Sequence, residues 1–186
     1  MTRQELRDIL ERSPVIASFH DNQFEKTLVA PPEILFDLKA SLPKEAGRIE
    51  KAHKAGKYIF VHIDLADGIG KDKTGIEYLA SLGVDGIIST RGQMIRYAKE
   101  AGLLTVQRFF ALDTQGLDSI HELLEVSNPD LIEIMPGVIS KVIERFSGGA
   151  IPVIAGGLIE TKAEVTSVLA SGASAVSTGM PELWYI

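Results

Sequence analysis

The sequence predicts a closed (β/α)8 barrel, and three observations lead to that prediction. Eight short apolar runs alternate with amphipathic segments, a pattern typical of parallel strands covered by helices. The units recur about every 23 residues, and a glycine precedes several strands, where it would end the preceding helix. The predicted strands are Val15–Phe19, Thr27–Ala30, Tyr58–Asp64, Gly86–Thr90, Leu104–Phe110, Leu131–Met135, Pro152–Ala155 and Ala175–Thr178.

Segments with helical periodicity fill the intervals between these runs. An N-terminal helix is predicted over Thr2–Glu11, with its apolar residues on one side. We expect a single domain, with this helix in residues 1–12, the barrel in 14–180 and a short tail in 181–186. The other helices are predicted at Leu38–Ala55, Ile76–Leu82, Gln93–Glu100, Leu117–Val126, Ile139–Phe146 and Lys162–Ala170.

Composition limits the class of protein that this barrel can be. The chain has no cysteine and only four scattered histidines, so we expect no disulfide, no metal and no cofactor. Its net charge of −6 provides no overall attraction to nucleic acid. The first ten residues lack the apolar run of a signal peptide or a membrane span, so a cytoplasmic protein without membrane contact is expected.

The last barrel unit is predicted to be incomplete. Only Pro181–Ile186 follow the eighth strand, which is too short a segment for a full closing helix. Apolar barrel surface would therefore need another cover. The candidates are the N-terminal helix, Trp184 with Tyr185, or a second subunit, which would make the protein a homo-oligomer.

Two turns of small residues follow the last two predicted strands. One contains Gly156 and Gly157, and the other contains Ser177, Thr178 and Gly179. In (β/α)8 barrels the loops after strands seven and eight lie side by side and commonly hold a phosphate through backbone N–H groups. Either turn alone would suit ordinary loop geometry, but two in succession favour a phosphate site.

Polar side chains stand at the carboxyl ends of the other predicted strands, where the functional sites of such barrels lie. A charged side chain within an apolar run needs a partner, so an arginine and a glutamate on neighbouring strands could pair for purely structural reasons. Together with the two turns, these groups predict a pocket for a small phosphorylated polyol. The side chains are those of His62, Asp64, Arg91, Arg108 and Glu133, and Gly137 in the turn after the sixth strand completes the predicted site.

Five sequence blocks occur in order, with the pre-strand glycines between them. They are His62–Gly68, Asp85–Gly92, Gln107–Asp113, Ile132–Gly137 and Ile151–Thr161. In these blocks the chain resembles the glycerol uptake operon antiterminator regulatory proteins, and the resemblance extends from about Pro14 to Trp184.

The resemblance implies a barrel-fold regulator that binds glycerol 3-phosphate. When loaded, such a regulator binds the leader of glycerol-operon mRNA and prevents premature termination. The resemblance also implies a ligand site at the mouth of the barrel. Its implied residues are Asp64, Arg91, Arg108, Glu133, Gly156, Gly157, Ser177 and Thr178.

A row of basic residues is the predicted RNA contact. Lys44, Arg48 and Lys51 recur at helical spacing on one face, although solvated helix faces often look the same. A small phosphate-handling enzyme, such as an isomerase with Glu133 as base and His62 as electrophile, is the alternative function. The lack of a strand-end lysine disfavours an aldolase. A third reading is a relative that keeps the ligand pocket and has lost RNA binding.

Overall fold

The structure, a computed structural model, describes residues 1–186. Eight parallel strands close into a barrel in chain order, with the first strand paired to the eighth, which confirms the predicted (β/α)8 class. The strands are β1 (Val15–Phe19), β2 (Ile34–Asp37), β3 (Tyr58–His62), β4 (Gly86–Ser89), β5 (Leu104–Phe110), β6 (Leu131–Met135), β7 (Val153–Gly156) and β8 (Ala175–Thr178).

Eight α-helices alternate with these strands, and short 3-10 helices follow β1, β3 and β8. Side-chain oxygens cap several helix starts, as at Asp72, Asp113 and Thr161. None of the helices has the length and apolar character needed to cross a membrane. The helices are α1 (Arg3–Arg12), α2 (Phe24–Val29), α3 (Leu42–Lys54), α4 (Lys73–Ser81), α5 (Gly92–Glu100), α6 (Thr114–Ser127), α7 (Ser140–Phe146) and α8 (Lys162–Ala170).

The second strand lies further along the chain than predicted. Thr27–Ala30 is not a strand: Thr27 lies in α2, and its hydroxyl donates to the carbonyl of Phe24 at 2.7 Å. Pro31 and Pro32 then separate helix from strand, because proline cannot donate a ladder hydrogen bond. The apolar run that begins at Ile34 forms β2 instead.

The N-terminal helix closes the amino-terminal end of the barrel. Leu6, Ile9 and Leu10 are buried on one face of α1 and belong to the same apolar cluster as inward-facing Phe36 and Phe60. This helix therefore continues the interior core and leaves the open mouth at the carboxyl ends of the strands.

The segment after β8 packs a 3-10 helix, Pro181–Tyr185, against the outside of the barrel. Trp184 is only 1% exposed and belongs to the apolar cluster of Val15 and Ala17 on β1. Its indole Nε1 donates to the carbonyl of Thr178 at 2.9 Å. Within the chain, Trp184 provides the expected cover of the apolar barrel surface, whereas Tyr185 is 62% exposed and α1 lies at the end of the barrel. The second subunit stays a prediction.

Candidate ligand site at the mouth of the barrel

A cavity of about 330 Å³ opens at the carboxyl mouth. It is lined from one side by Ser18 and Leu38, from below by Arg108 and Glu133, and around the rim by the loops after β7 and β8. Its size falls in the range of small-molecule pockets. A second cavity, of about 320 Å³, lies at the opposite end of the barrel beside Arg7, away from the polar strand ends.

A row of three hydrogen-bonded side chains crosses the floor of this cavity from β5 to β8. Arg108 Nε donates to Glu133 Oε2 at 2.6 Å, and the Ser177 hydroxyl donates to Glu133 Oε1. Gly156 on β7 lies between the two strands that carry Glu133 and Ser177. A Cβ on Gly156 would lie 2.7 Å from the Ser177 oxygen and would also collide with the Glu133 side chain. Glycine is therefore required at this position for the hydrogen bond between Glu133 and Ser177 to cross β7.

The two rim loops present unpaired backbone donors. The N–H groups of Gly157, Leu158 and Ile159 after β7, and of Gly179 after β8, donate to no acceptor within the protein. By contrast, the next N–H group, that of Met180, donates to the Thr178 hydroxyl at 3.1 Å. Free N–H groups on neighbouring loops are suited to binding an anion.

Leu158 adopts a strained backbone conformation in the rim loop. Its φ is +59°, in the left-handed region, and its side chain is 67% exposed. This conformation costs a residue with a Cβ about 1–2 kcal/mol. Strain of this kind concentrates in loops that bind ligands.

Replacing Leu158 by glycine is expected to raise the free energy of unfolding by about 0.5–1 kcal/mol, because glycine relieves the strain at some entropic cost. Chemical denaturation measures this difference. The matched control is Leu158→Ala, which keeps a Cβ and should leave stability nearly unchanged. Equal stability of the two variants would contradict the assignment of strain.

Two of the predicted site residues hold loops in place. The Gly137 N–H donates to the carbonyls of Gly156 and Gly157, and a Cβ on Gly137 would lie 2.6 Å from the Gly156 nitrogen. The Thr178 hydroxyl donates to the carbonyl of Ile159 at 3.1 Å. Both residues therefore fix the shape of the rim through contacts within the protein.

Asp64 and Arg91 meet beside the cavity rather than in its lining. The Asp64 carboxylate accepts from Arg91 Nε at 2.9 Å, from the Thr90 N–H at 2.7 Å and from the Ser89 hydroxyl. Burial acts to raise the pKa of Asp64, but these hydrogen bonds outweigh burial and hold the pKa below its ordinary value. The pair joins the loops after β3 and β4.

His62 lies inside the barrel, away from the cavity lining. Its side chain is 3% exposed, and Nδ1 has no hydrogen-bond partner. Burial, assisted by the positive charge of Arg108, lowers the pKa of His62 to about 4. The imidazole is therefore neutral near pH 7.

Arg48, part of the predicted RNA contact, is buried. Its guanidinium donates to Asp37 at 2.6 Å and to Asp21, and it lies within 6 Å of the ring centroids of Phe19 (5.8 Å) and Phe24 (5.7 Å). This corrects the prediction for Arg48: the side chain is turned toward the barrel by a carboxylate at the end of β2 and does not face solvent.

The two lysines of the predicted RNA contact are exposed but paired. Lys51 Nζ lies 2.6 Å from Glu25, and Lys44 pairs with Asp21. Exposed pairs of this kind contribute little free energy, roughly 0–1 kcal/mol, so they open readily. Lys44 and Lys51 thus remain accessible to a polyanion, whereas Arg48 does not.

Comparison with known proteins identifies the family. Residues 15–184 match the family model described as glycerol-3-phosphate responsive antiterminator. The chain belongs to this family. The resemblance inferred from the five sequence blocks is therefore confirmed.

Two solved structures of similar proteins agree closely with this one. A glycerol uptake operon antiterminator regulatory protein from Listeria monocytogenes is 36% identical, with a TM-score of 0.86, and the match covers 91% of this chain and 94% of that one. An antiterminator-related protein from Thermotoga maritima is 31% identical, with a TM-score of 0.83 and coverage of 92% and 98%. The uncharacterized protein YgcP of Escherichia coli K12 is 31% identical over 185 residues, covering 96% of this chain and 95% of that protein.

The chain also shares its fold with aldolases. One of these, QR15, has a TM-score of 0.72 at 12% sequence identity. A likeness at this level concerns the barrel alone, because this fold supports many unrelated chemistries.

Proposed function

We propose that this protein senses glycerol 3-phosphate at the mouth of its barrel and, when loaded, binds the leader of glycerol-operon mRNA to prevent termination. The observation that carries the ligand part is the set of unpaired N–H groups on the adjacent loops after β7 and β8. These donors suit a phosphate dianion. Membership of the glycerol-3-phosphate responsive family supports this choice of ligand and the RNA target.

The hydrogen bonds of Glu133 and the burial of His62 favour a regulator over an enzyme. An isomerase would need a free general base, yet both oxygens of Glu133 accept hydrogen bonds from Arg108 and Ser177. His62 is not among the residues that line the cavity, and its side chain is only 3% exposed, so it offers no accessible electrophile. The cavity lining contains no lysine that could form a Schiff base. We therefore propose a cytoplasmic sensor without catalytic activity.

Control of RNA binding by the ligand follows from linkage. A ligand promotes RNA binding only if it binds the RNA-competent conformation more tightly than the other conformation. The cavity lining includes Ser18 at the end of β1 and Leu38 just after β2, and α3, which carries Lys44 and Lys51, follows β2. We propose that ligand binding orders these loops and presents the two lysines to RNA phosphates.

Calorimetric titration with glycerol 3-phosphate, with and without a glycerol-operon leader transcript, tests the proposal. We expect ligand to tighten RNA binding and RNA to tighten ligand binding by the same factor, with no turnover of the ligand. Turnover of a sugar phosphate would favour the enzyme, and ligand binding without RNA binding would favour a relative that has lost its RNA function.

The double variant Lys44→Glu with Lys51→Glu tests the proposed RNA surface. Charge reversal should weaken leader binding and reduce its dependence on salt, because fewer counterions are released. Lys54→Glu, at the exposed C-terminal end of the same helix and likewise paired with a glutamate, is the matched control. Equal effects of the control and the double variant would place the RNA elsewhere.

A further inference from the structure

Building on the proposed function, we propose that the cavity recognises its ligand in two parts. The rim loops bind the phosphate, and the Arg108 guanidinium on the floor binds the hydroxylated remainder. Glu133 acts as the positioning residue for Arg108. The inference adds to the proposed function the residues that select the tail of the ligand, which should be uncharged and rich in acceptor oxygens.

The guanidinium of Arg108 has N–H donors that bind no acceptor in the protein. Its Nε is engaged with Glu133, while neither Nη atom has an acceptor within the protein. The side chain is only 8% exposed and lines the cavity. Because the side chain is otherwise buried and lines the cavity, its Nη groups are available to an acceptor that enters the cavity. Hydroxyl oxygens of a polyol are such acceptors.

Glu133 fixes the direction of those donors. It is fully buried, and each of its oxygens accepts one bond, from Arg108 and from Ser177. The carboxylate thus holds the guanidinium by its Nε edge, which leaves the Nη edge for the ligand. The pairing of one positive with one negative charge leaves no net charge at the floor, so an uncharged tail should bind better than a carboxylate.

Inorganic phosphate and glycerol 3-phosphate together separate the two parts. Inorganic phosphate probes the rim alone, so the ratio of the two affinities measures the contribution of the tail. For Arg108→Gln we expect this ratio to fall about 10- to 100-fold, the loss typical of charge-assisted hydrogen bonds. The charge of Glu133, left without its partner, would weaken the binding of both probes alike and therefore cancels in the ratio. Glu133→Gln should lower the ratio by a smaller factor, because the arginine remains but is less well oriented.

Ser177→Ala, which removes only the hydroxyl, is the milder variant if Glu133→Gln does not fold, and thermal melting checks the fold of each protein. An equal loss of affinity for both probes in Arg108→Gln would overturn the inference, since Arg108 would then act on the phosphate and not on the tail. Unchanged affinities for both probes would overturn it as well, because Arg108 would then have no part in binding the tail.

The natural chain supplies an independent test. We expect glycerol 3-phosphate to bind more tightly than 3-phosphoglycerate, whose tail carries a carboxylate, and equal or tighter binding of 3-phosphoglycerate would overturn the inference. Failure of the natural chain to bind either inorganic phosphate or glycerol 3-phosphate would overturn the proposed function together with the inference. Binding of both probes with no role for Arg108 would overturn the inference alone.

Discussion

Replacing Trp184 by alanine is expected to lower the free energy of unfolding by about 3–5 kcal/mol, the usual cost of truncating a fully buried tryptophan. Trp184 is 1% exposed and occupies the position that a closing helix would otherwise cover. The truncation would expose apolar residues of β1, such as Val15 and Ala17, to water. Denaturation by urea, followed by circular dichroism, measures the loss.

Trp184→Phe is the matched control. It keeps an aromatic ring but removes the donor that binds the Thr178 carbonyl and part of the buried ring volume, so we expect a smaller loss of about 1–2 kcal/mol. Tyr185, the 62% exposed neighbour, should tolerate alanine with little effect. A small effect of Trp184→Ala would show that another group covers this side of the barrel.

Replacing Glu45 by glutamine is expected to stabilise the protein by about 3 kcal/mol at pH 8 and to have almost no effect below pH 4.5. Glu45 is fully buried on α3, and neither of its oxygens has a hydrogen-bond partner. Burial, with the nearby negative charge of Asp37, raises its pKa from 4.5 to about 7 despite the opposing attraction of Arg48.

The direction of this effect follows from proton binding. Between pH 4.5 and about 7 the folded chain keeps a proton on Glu45 that the unfolded chain has released, so stability falls as the pH rises through this window. Above the window the penalty is constant. Glutamine carries no charge at any of these pH values and escapes the penalty.

His62 changes stability with pH in the opposite direction to Glu45. The effect of Glu45 must therefore be measured as the difference between the original protein and the Glu45→Gln variant. Its pKa of about 4 in the folded chain lies below the ordinary 6.5, so its contribution to stability is lost as the pH falls from 6.5 toward 4. Both proteins carry His62, and the difference between their urea midpoints therefore isolates Glu45. A difference that does not change with pH would contradict the account of Glu45.

The fold was predictable wherever the sequence pattern was local. Seven strands lay within the predicted apolar runs or close to them, because buried parallel strands are continuous in sequence. The second strand was misplaced because Thr27–Ala30 has a β-branched, apolar composition, while the tertiary structure continues a short helix through Thr27 to Val29. The double proline marked the end of that helix rather than the loop after a strand.

The site was predictable in its loops and less so in its lining. The small-residue turns after β7 and β8 were evident in the sequence. The pairing of Arg108 with Glu133 was one of two alternatives, and the structure contains this pair. Leu38 was missed because the misplaced second strand removed it from the predicted mouth. Ser18 could have been found, because it lies two residues after inward-facing Ile16 on β1 and therefore on the same face of the strand. Arg48 was misjudged because helical spacing does not show that Asp37 lies behind it.

The most direct test of the central claim is a nitrogen–proton correlation spectrum recorded during titration with glycerol 3-phosphate. The account predicts that the amide signals of Gly157, Leu158 and Gly179 shift as their free N–H groups bind phosphate. Gly102, whose N–H already bonds to Lys99 at the other end of the barrel, should not move. Shifts confined to the opposite cavity, around Gly148 and Gly149, would contradict a phosphate site at the mouth.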